Sequence, residues 1–261
     1  MRILSFYAGK IEPLAAGEYE LAGAGFPLAA PIVFGLCNAV TAAVLVLLRI
    51  ATGSPLTAAA LALVIYYLLK GVRLIDGYVD CAEGVTMAAS RNVDHETIWN
   101  AIRSPGNGAF GILWVGLLVI VQFSLFHALS AQTVKESIAI FSLCAVLSSH
   151  ALVSAHWGKQ SYMQDSRFVS FGRRLDKKSF FLSLVISLAF SFLLILMIYP
   201  LVESVIIACA AVVFSSLMGF LLKLLLHKTI VHYNGDIIGA VLLVAENMAL
   251  IAIVAALRAA V

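Results

Sequence analysis

Charge is scarce in this chain: only 12% of the residues are Asp, Glu, Lys or Arg, against 62% that are hydrophobic. A soluble domain carries about twice that charged fraction, so the composition excludes an ordinary soluble protein. Cysteine is scarce as well. The four present (Cys37, Cys81, Cys144 and Cys209) show no paired spacing, which excludes a disulfide framework and a cysteine zinc site. Three of them lie in apolar segments, the usual place of a small buried thiol, and Cys81 reads as a packing residue among acids. His127, His150 and His156 form no ligand spacing, and His227 and His232 read as interfacial. The first 25 residues carry Glu12, Glu18 and Glu20 and no continuous apolar core, so no signal peptide is expected. The first spanning helix then acts as its own insertion signal.

What the chain does have is long apolar runs. Segments of about 20 residues can cross the hydrocarbon core, and such runs occupy 29–49, 54–72, 109–129, 135–155, 180–198, 201–225 and 237–257. Backbone groups in lipid must be satisfied within the segment, so the spans are helices. The expectation is an all-α polytopic bundle of about seven transmembrane helices, forming a single integral membrane domain. Residues 1–28 are expected to form an N-terminal interfacial or re-entrant segment. The loops 73–108, 156–179 and 226–236 then share one side. Of the 17 Lys and Arg, all but Arg49, Lys135 and Arg258 fall on that side, Lys70 included. The positive-inside rule therefore predicts cytoplasmic long loops and N-terminus, with the C-terminus outside. A transporter usually places polar groups near the midplane on broken spans. Here they gather at one face, which points to chemistry at the cytoplasmic surface.

The segment "RLIDGYVDCAEG" holds Asp76, Asp80 and Glu83 at i, i+4 and i+7, a spacing that puts three carboxylates on one helix face. Magnesium takes oxygen ligands and is often held by one or two carboxylates plus substrate phosphates. The alternative is a solvated helix whose acids pair with Lys70, Arg73 or Arg91. Gly77 and Gly84 allow close backbone approach. In "VHYNGDIIGAVLLVAEN", Asp236 opens the last span after the turn signal Asn234–Gly235. Glu246 lies inside the apolar helix, where an ionisable group is a functional candidate by default and pairing with a neighbouring helix is the other reading. "RSPGNGAFG" offers backbone N–H groups, Gly108 among them, and the Arg103 guanidinium to a phosphate. The basic loop "WGKQSYMQDSRFVSFGRRLDKK" reads first as an anchor to anionic lipid.

At these residues the sequence resembles the cobalamin synthase family (adenosylcobinamide-GDP ribazoletransferase). The family signature H-L-D-G-L-A-D-x-x-D-G is matched by "LIDGYVDCAEG" at Asp76, Gly77, Asp80 and Gly84, with Glu83 in place of the third Asp. M-[KR]-D-[PS]-R-x-G-x-x-G is echoed by Arg103, Pro105, Gly108 and Gly111, and T-G-D-x-L-G-A-x-x-E-x-x-E by Gly235, Asp236, Gly239, Ala240 and Glu246. Leu74, Ser104, Gly106, Asn234 and Leu243 depart from the pattern.

The resemblance implies a membrane transferase that joins adenosylcobinamide-GDP to α-ribazole or its 5'-phosphate with release of GMP, in the cytoplasmic (inner) membrane. It implies Mg²⁺ held by Asp76, Asp80, Glu83 and Asp236, with Asp76, Asp80, Asp236 and Glu246 as the catalytic set. Glu246 would act by holding a ligand or a helix in place. Arg103, Gly108, Asn234 and Gly235 would bind phosphate. The partners implied are the corrinoid nucleotide donor, the α-ribazole acceptor and membrane lipids, without nucleic acid; homo-oligomerisation is compatible with this. Two rivals are a CDP-alcohol-type phosphotransferase making a lipid, whose full motif is missing here, and a transporter or scaffold.

Overall fold

The computed structural model describes residues 16–89, 93–94, 96–98, 100, 108–157, 168–229 and 235–259. Among them every regular element is a helix: α1 (Ala16–Thr52), α2 (Pro55–Lys70), α3 (Val72–Ala89), α4 (Ala109–Leu129), α5 (Val134–Ala155), α6 (Phe168–Arg173), α7 (Lys177–Leu196), α8 (Leu201–Thr229) and α9 (Gly235–Ala259). Six are long and apolar enough to cross a membrane, and seven spans result if the bent pair α2–α3 counts as one. The protein is an all-α polytopic membrane bundle.

The breaks between helices follow local chemistry. Gly53, at φ 65°, turns the chain between α1 and α2. Ser54 then caps α2 by accepting the Thr57 N–H at 3.2 Å, and Pro55 stands in the first turn, where no N–H is needed. α2 stops at Gly71, whose φ of 81° few other residues adopt. Thr133 and Glu136 form a reciprocal capping box that opens α5, and Asp176 accepts the Ser179 N–H at 2.9 Å to open α7.

α5 is the axis of the bundle, packed by α1, α7, α8 and α9 and buried along nearly its whole length. Small residues make this possible: Ala139, Ser142, Cys144, Ala145, Ser148, Ser149, Ala151, Ser154 and Ala155 let neighbouring backbones approach closely. At Gly219 of α8 a Cβ would lie 2.6 Å from the Ser154 Cβ, so the two helices touch there without room for a side chain. Outward-facing Val202, Ile206, Val213, Leu217 and Leu224 give α8 an apolar face toward lipid.

Two sequence expectations change, and one holds. The run before the first span is no separate interfacial piece in its described part: α1 is continuous from Ala16 and carries Pro27 and Pro31 inside it, which membrane helices tolerate. At 37 residues, α1 is about 55 Å long, well beyond the roughly 30 Å hydrocarbon core. Its N-terminal part packs on α6, through Phe26 against Phe171 and an Arg174–Glu20 ion pair at 3.1 Å. The acid-bearing part of segment 73–108 is a helix, as the spacing of its carboxylates predicts, and this helix, α3, is set at 93° to α2 and leaves the line of the span. Lys70, counted with the surface cations, is 3% exposed.

Candidate active site

The candidate site is built where α3 crosses the start of α9. The 3.6-residue period brings Asp76, Asp80 and Glu83 to one side of α3, with Asp76 exposed and Asp80 and Glu83 half-buried. Gly77, between them, is the point of closest approach: a Cβ there would stand 2.6 Å from the Asp236 carbonyl oxygen and 2.8 Å from its Cα. The absence of a side chain at Gly77 is therefore what brings the first turn of α9 against the acids of α3. Burial, followed by the carboxylates of Asp236, Asp76 and Glu83, pushes the Asp80 carboxyl up to about 7. Asp76, Asp80, Glu83 and Asp236, the four acids expected to hold Mg²⁺, thus share one electrostatic neighbourhood.

The third motif joins them at α4. Gly108 is the residue that caps α4, and its N–H donates to Glu83 Oε2 at 3.0 Å. A Cβ at Gly108 would fall 2.8 Å from the Glu83 Cδ, so any larger residue would push the Glu83 carboxylate aside. The Glu83 carboxylate sits at the positive end of the α4 dipole, a favourable place for an anion. Trp114 of α4 donates its indole N–H to Thr86 Oγ1 at 2.9 Å and fixes the same two helices one turn further on.

Among the described residues, no three Asp, Glu, His or Cys side chains form a ready-made metal cage. The donor set still fits magnesium, which keeps waters and substrate phosphates in its shell and needs only one or two protein carboxylates. The ion pairs formed among the described side chains, Lys70–Glu246 and Arg174–Glu20, do not involve Asp76, Asp80 or Glu83. Arg103 and Asn234 lie outside the described residues, as do the basic positions 158–167. Gly235 begins α9.

Glu246 stands apart from this cluster. It is 2% exposed, and Lys70 Nζ donates to its Oε2 while Asn38 Nδ2 donates to its Oε1 at 2.7 Å. Asn38 Nδ2 also reaches the Phe141 carbonyl at 2.7 Å, and Lys70 Nζ lies 5.0 Å and 5.3 Å from the ring centroids of Tyr66 and Phe34. The helix-pairing alternative for Glu246 is the one the geometry displays. The sequence offers Lys70 as a partner for the acids of α3, and the structure gives it to Glu246 instead; Asn38 is the partner that sequence reasoning misses, although a lone Asn in an apolar helix is a signal of this kind. Leu74, where the family pattern has His, packs with the apolar cluster of Phe26, Cys81 and Ile237.

Fold and site together define an integral membrane protein with an acid-rich centre at one end of its bundle. The family model described as cobalamin-5-phosphate synthase matches residues 12–254, and the chain belongs to that family. It is accordingly a membrane transferase of cobalamin biosynthesis. A curated relative, the adenosylcobinamide-GDP ribazoletransferase of Clostridium perfringens (strain ATCC 13124), is 27% identical over 190 residues, covering 72% of this chain and 70% of the relative. No solved structure matches the chain.

Proposed function

We propose that the chain joins adenosylcobinamide-GDP to α-ribazole or its 5'-phosphate at the cytoplasmic face of the cell's inner membrane. Support comes from the family match over residues 12–254 and from the relative's activity. The observation that carries the siting is the convergence of Asp76, Asp80 and Glu83 with Asp236 at Gly77. In the reaction a ribazole hydroxyl oxygen forms a bond to the corrinoid-bound phosphorus, and the bond from that phosphorus to the GMP oxygen breaks. The hydroxyl proton passes to one of the site's carboxylates or to substrate phosphate, and GMP leaves.

Phosphoryl transfer depends mainly on positioning and charge neutralisation. Asp76 and Asp80, with Asp236 and Glu83 beside them, would hold Mg²⁺, which would offset the charge of the pyrophosphate. Glu83 also orders the Gly108 N–H at the start of α4, and that helix end favours an anionic group. Arg103 would add positive charge. The skew of Lys and Arg toward the long loops supports a cytoplasmic N-terminus and an external C-terminus.

The test is product formation by the purified chain in liposomes supplied with adenosylcobinamide-GDP and α-ribazole, with and without Mg²⁺. Mg²⁺-dependent release of GMP with one corrinoid product per GMP is expected. Turnover of a CDP-activated alcohol in place of the GDP donor would move the chain to the lipid-making alternative, and solute flux without pyrophosphate cleavage would make it a transporter.

A further inference from the structure

We propose that Lys70 is a positioning residue for the acid centre: its ion pair with Glu246 pins to α9 the end of α2 from which α3 departs, and so sets where α3 lies on α9; this rests on the reading that α3 and α9 carry that centre. Lys70 is the last residue of α2. Gly71 follows with a φ of 81°, and the chain bends by 93° into α3. Asp76 and Asp80 come six and ten residues after Lys70 in the sequence. On the partner helix, Glu246 lies ten residues after Asp236, about 15 Å along α9. α9 is therefore held at two points: by α3, where Gly77 meets the Asp236 backbone at the centre, and by the end of α2, from which α3 departs, where Lys70 meets Glu246.

The lower tie has features a loose surface pair lacks. Both side chains are at most 4% exposed. Asn38 fills the second oxygen of Glu246 and anchors on the Phe141 carbonyl of α5, which binds the pair to the axis of the bundle. The Tyr66 and Phe34 rings flank the ammonium group. Removing one partner of such a pair leaves an uncompensated charge in the interior, so the contact resists any move that separates α2 from α9.

Native cysteines supply a readout independent of turnover. Cys81 of α3 is 3% exposed, in an apolar cluster it shares with Ile237, Ala240 and Val241 of α9, and Cys144 of α5 is 0% exposed. The full chain in liposomes is treated with a water-soluble maleimide, and labelled peptides are quantified by mass spectrometry. In Lys70→Met, Cys81 should react at least about tenfold faster while Cys144 stays silent. Turnover should fall through kcat with little change in KM. In the double variant Lys70→Met/Glu246→Leu, which leaves no unpaired charge, thermal stability should return while Cys81 remains reactive. Cys81 as protected as in the wild type in either variant would overturn the proposal. So would equal labelling of Cys81 and Cys144, the sign of a pair that merely holds the bundle closed. The labelling needs no substrate, so an inactive wild type would count against the proposed reaction and leave this result standing.

Discussion

Glu246 and Asp80 stand on two helices that touch, α9 and α3, yet their surroundings are opposite. Glu246 meets Lys70 and Asn38, so its charge is balanced inside the protein. Asp80 meets Asp236, Asp76 and Glu83, which add repulsion to the cost of burial. A buried pair broken on one side costs several kcal/mol, and clustered acids raise one another's proton affinity. The first arrangement spends its electrostatics on holding helices in register. The second keeps negative charge concentrated at the end of the bundle, where a cation and an anionic substrate can neutralise each other against it.

Of the effects that follow from this contrast, the largest belongs to the acids. Asp80→Asn and Asp76→Asn should each lower turnover by about a thousandfold, the scale of losing one group that stabilises developing charge, while membrane insertion and thermal stability stay near wild type. GMP release from proteoliposomes measures the first and size-exclusion after heating the second. Near-normal turnover in either variant would dissolve the distinction between the two regions. Next comes Gly77→Ala. The added methyl has no room before the Asp236 backbone, and a shift of about 1 Å between reacting groups costs on the order of a hundredfold. Gly116→Ala is the control, because nothing lies within 4 Å of its added Cβ, and its turnover should be unchanged.

On the other side of the comparison, stability moves together with turnover. Glu246→Leu leaves Lys70 buried without its partner and should destabilise the bundle by about 3 kcal/mol, seen as a lower thermal midpoint. Adding Lys70→Met should recover most of that loss, since an apolar pair of similar volume suits the bundle interior. A double variant no more stable than the single one would mean that the pair is no unit.

The unequal legibility of the two regions has the same origin. Asp76, Asp80 and Glu83 lie within eight residues, and a helical period alone puts them on one face. Gly77 reads as a close approach, and Asp236 after Asn234–Gly235 reads as a helix start. The spans are legible because each is a continuous apolar run; only their ends move, as with α1, which runs back to Ala16 through two prolines. The Lys70–Glu246 and Asn38–Glu246 contacts join residues 176 and 208 positions apart. No local period encodes such pairs, and Lys70 at the end of an apolar run looks like any interfacial lysine. The 93° turn into α3 is equally hidden, since Gly71 permits a sharp bend without specifying its direction.

The smallest effect concerns polar groups that serve neither charge system. His150 of α5 contacts Ser183 Oγ of α7 through Nδ1 and Ser216 Oγ of α8 through Nε2, each at 2.9 Å. Ser183 lies on a buried serine row with Ser179, Ser187 and Ser191. Hydrogen bonds between membrane helices average only about 0.6 kcal/mol in double-mutant cycles, because the separated helices find other partners. Ser183→Ala should therefore lower stability by about that amount. Turnover should not change, since the contact lies between α5 and α7 and the acids stand on α3 and α9. Thermal midpoints and initial rates on the same preparation decide it. A loss of rate without a loss of stability would extend the site's reach to the bundle axis and blur the division between the balanced interior and the acid-bearing end.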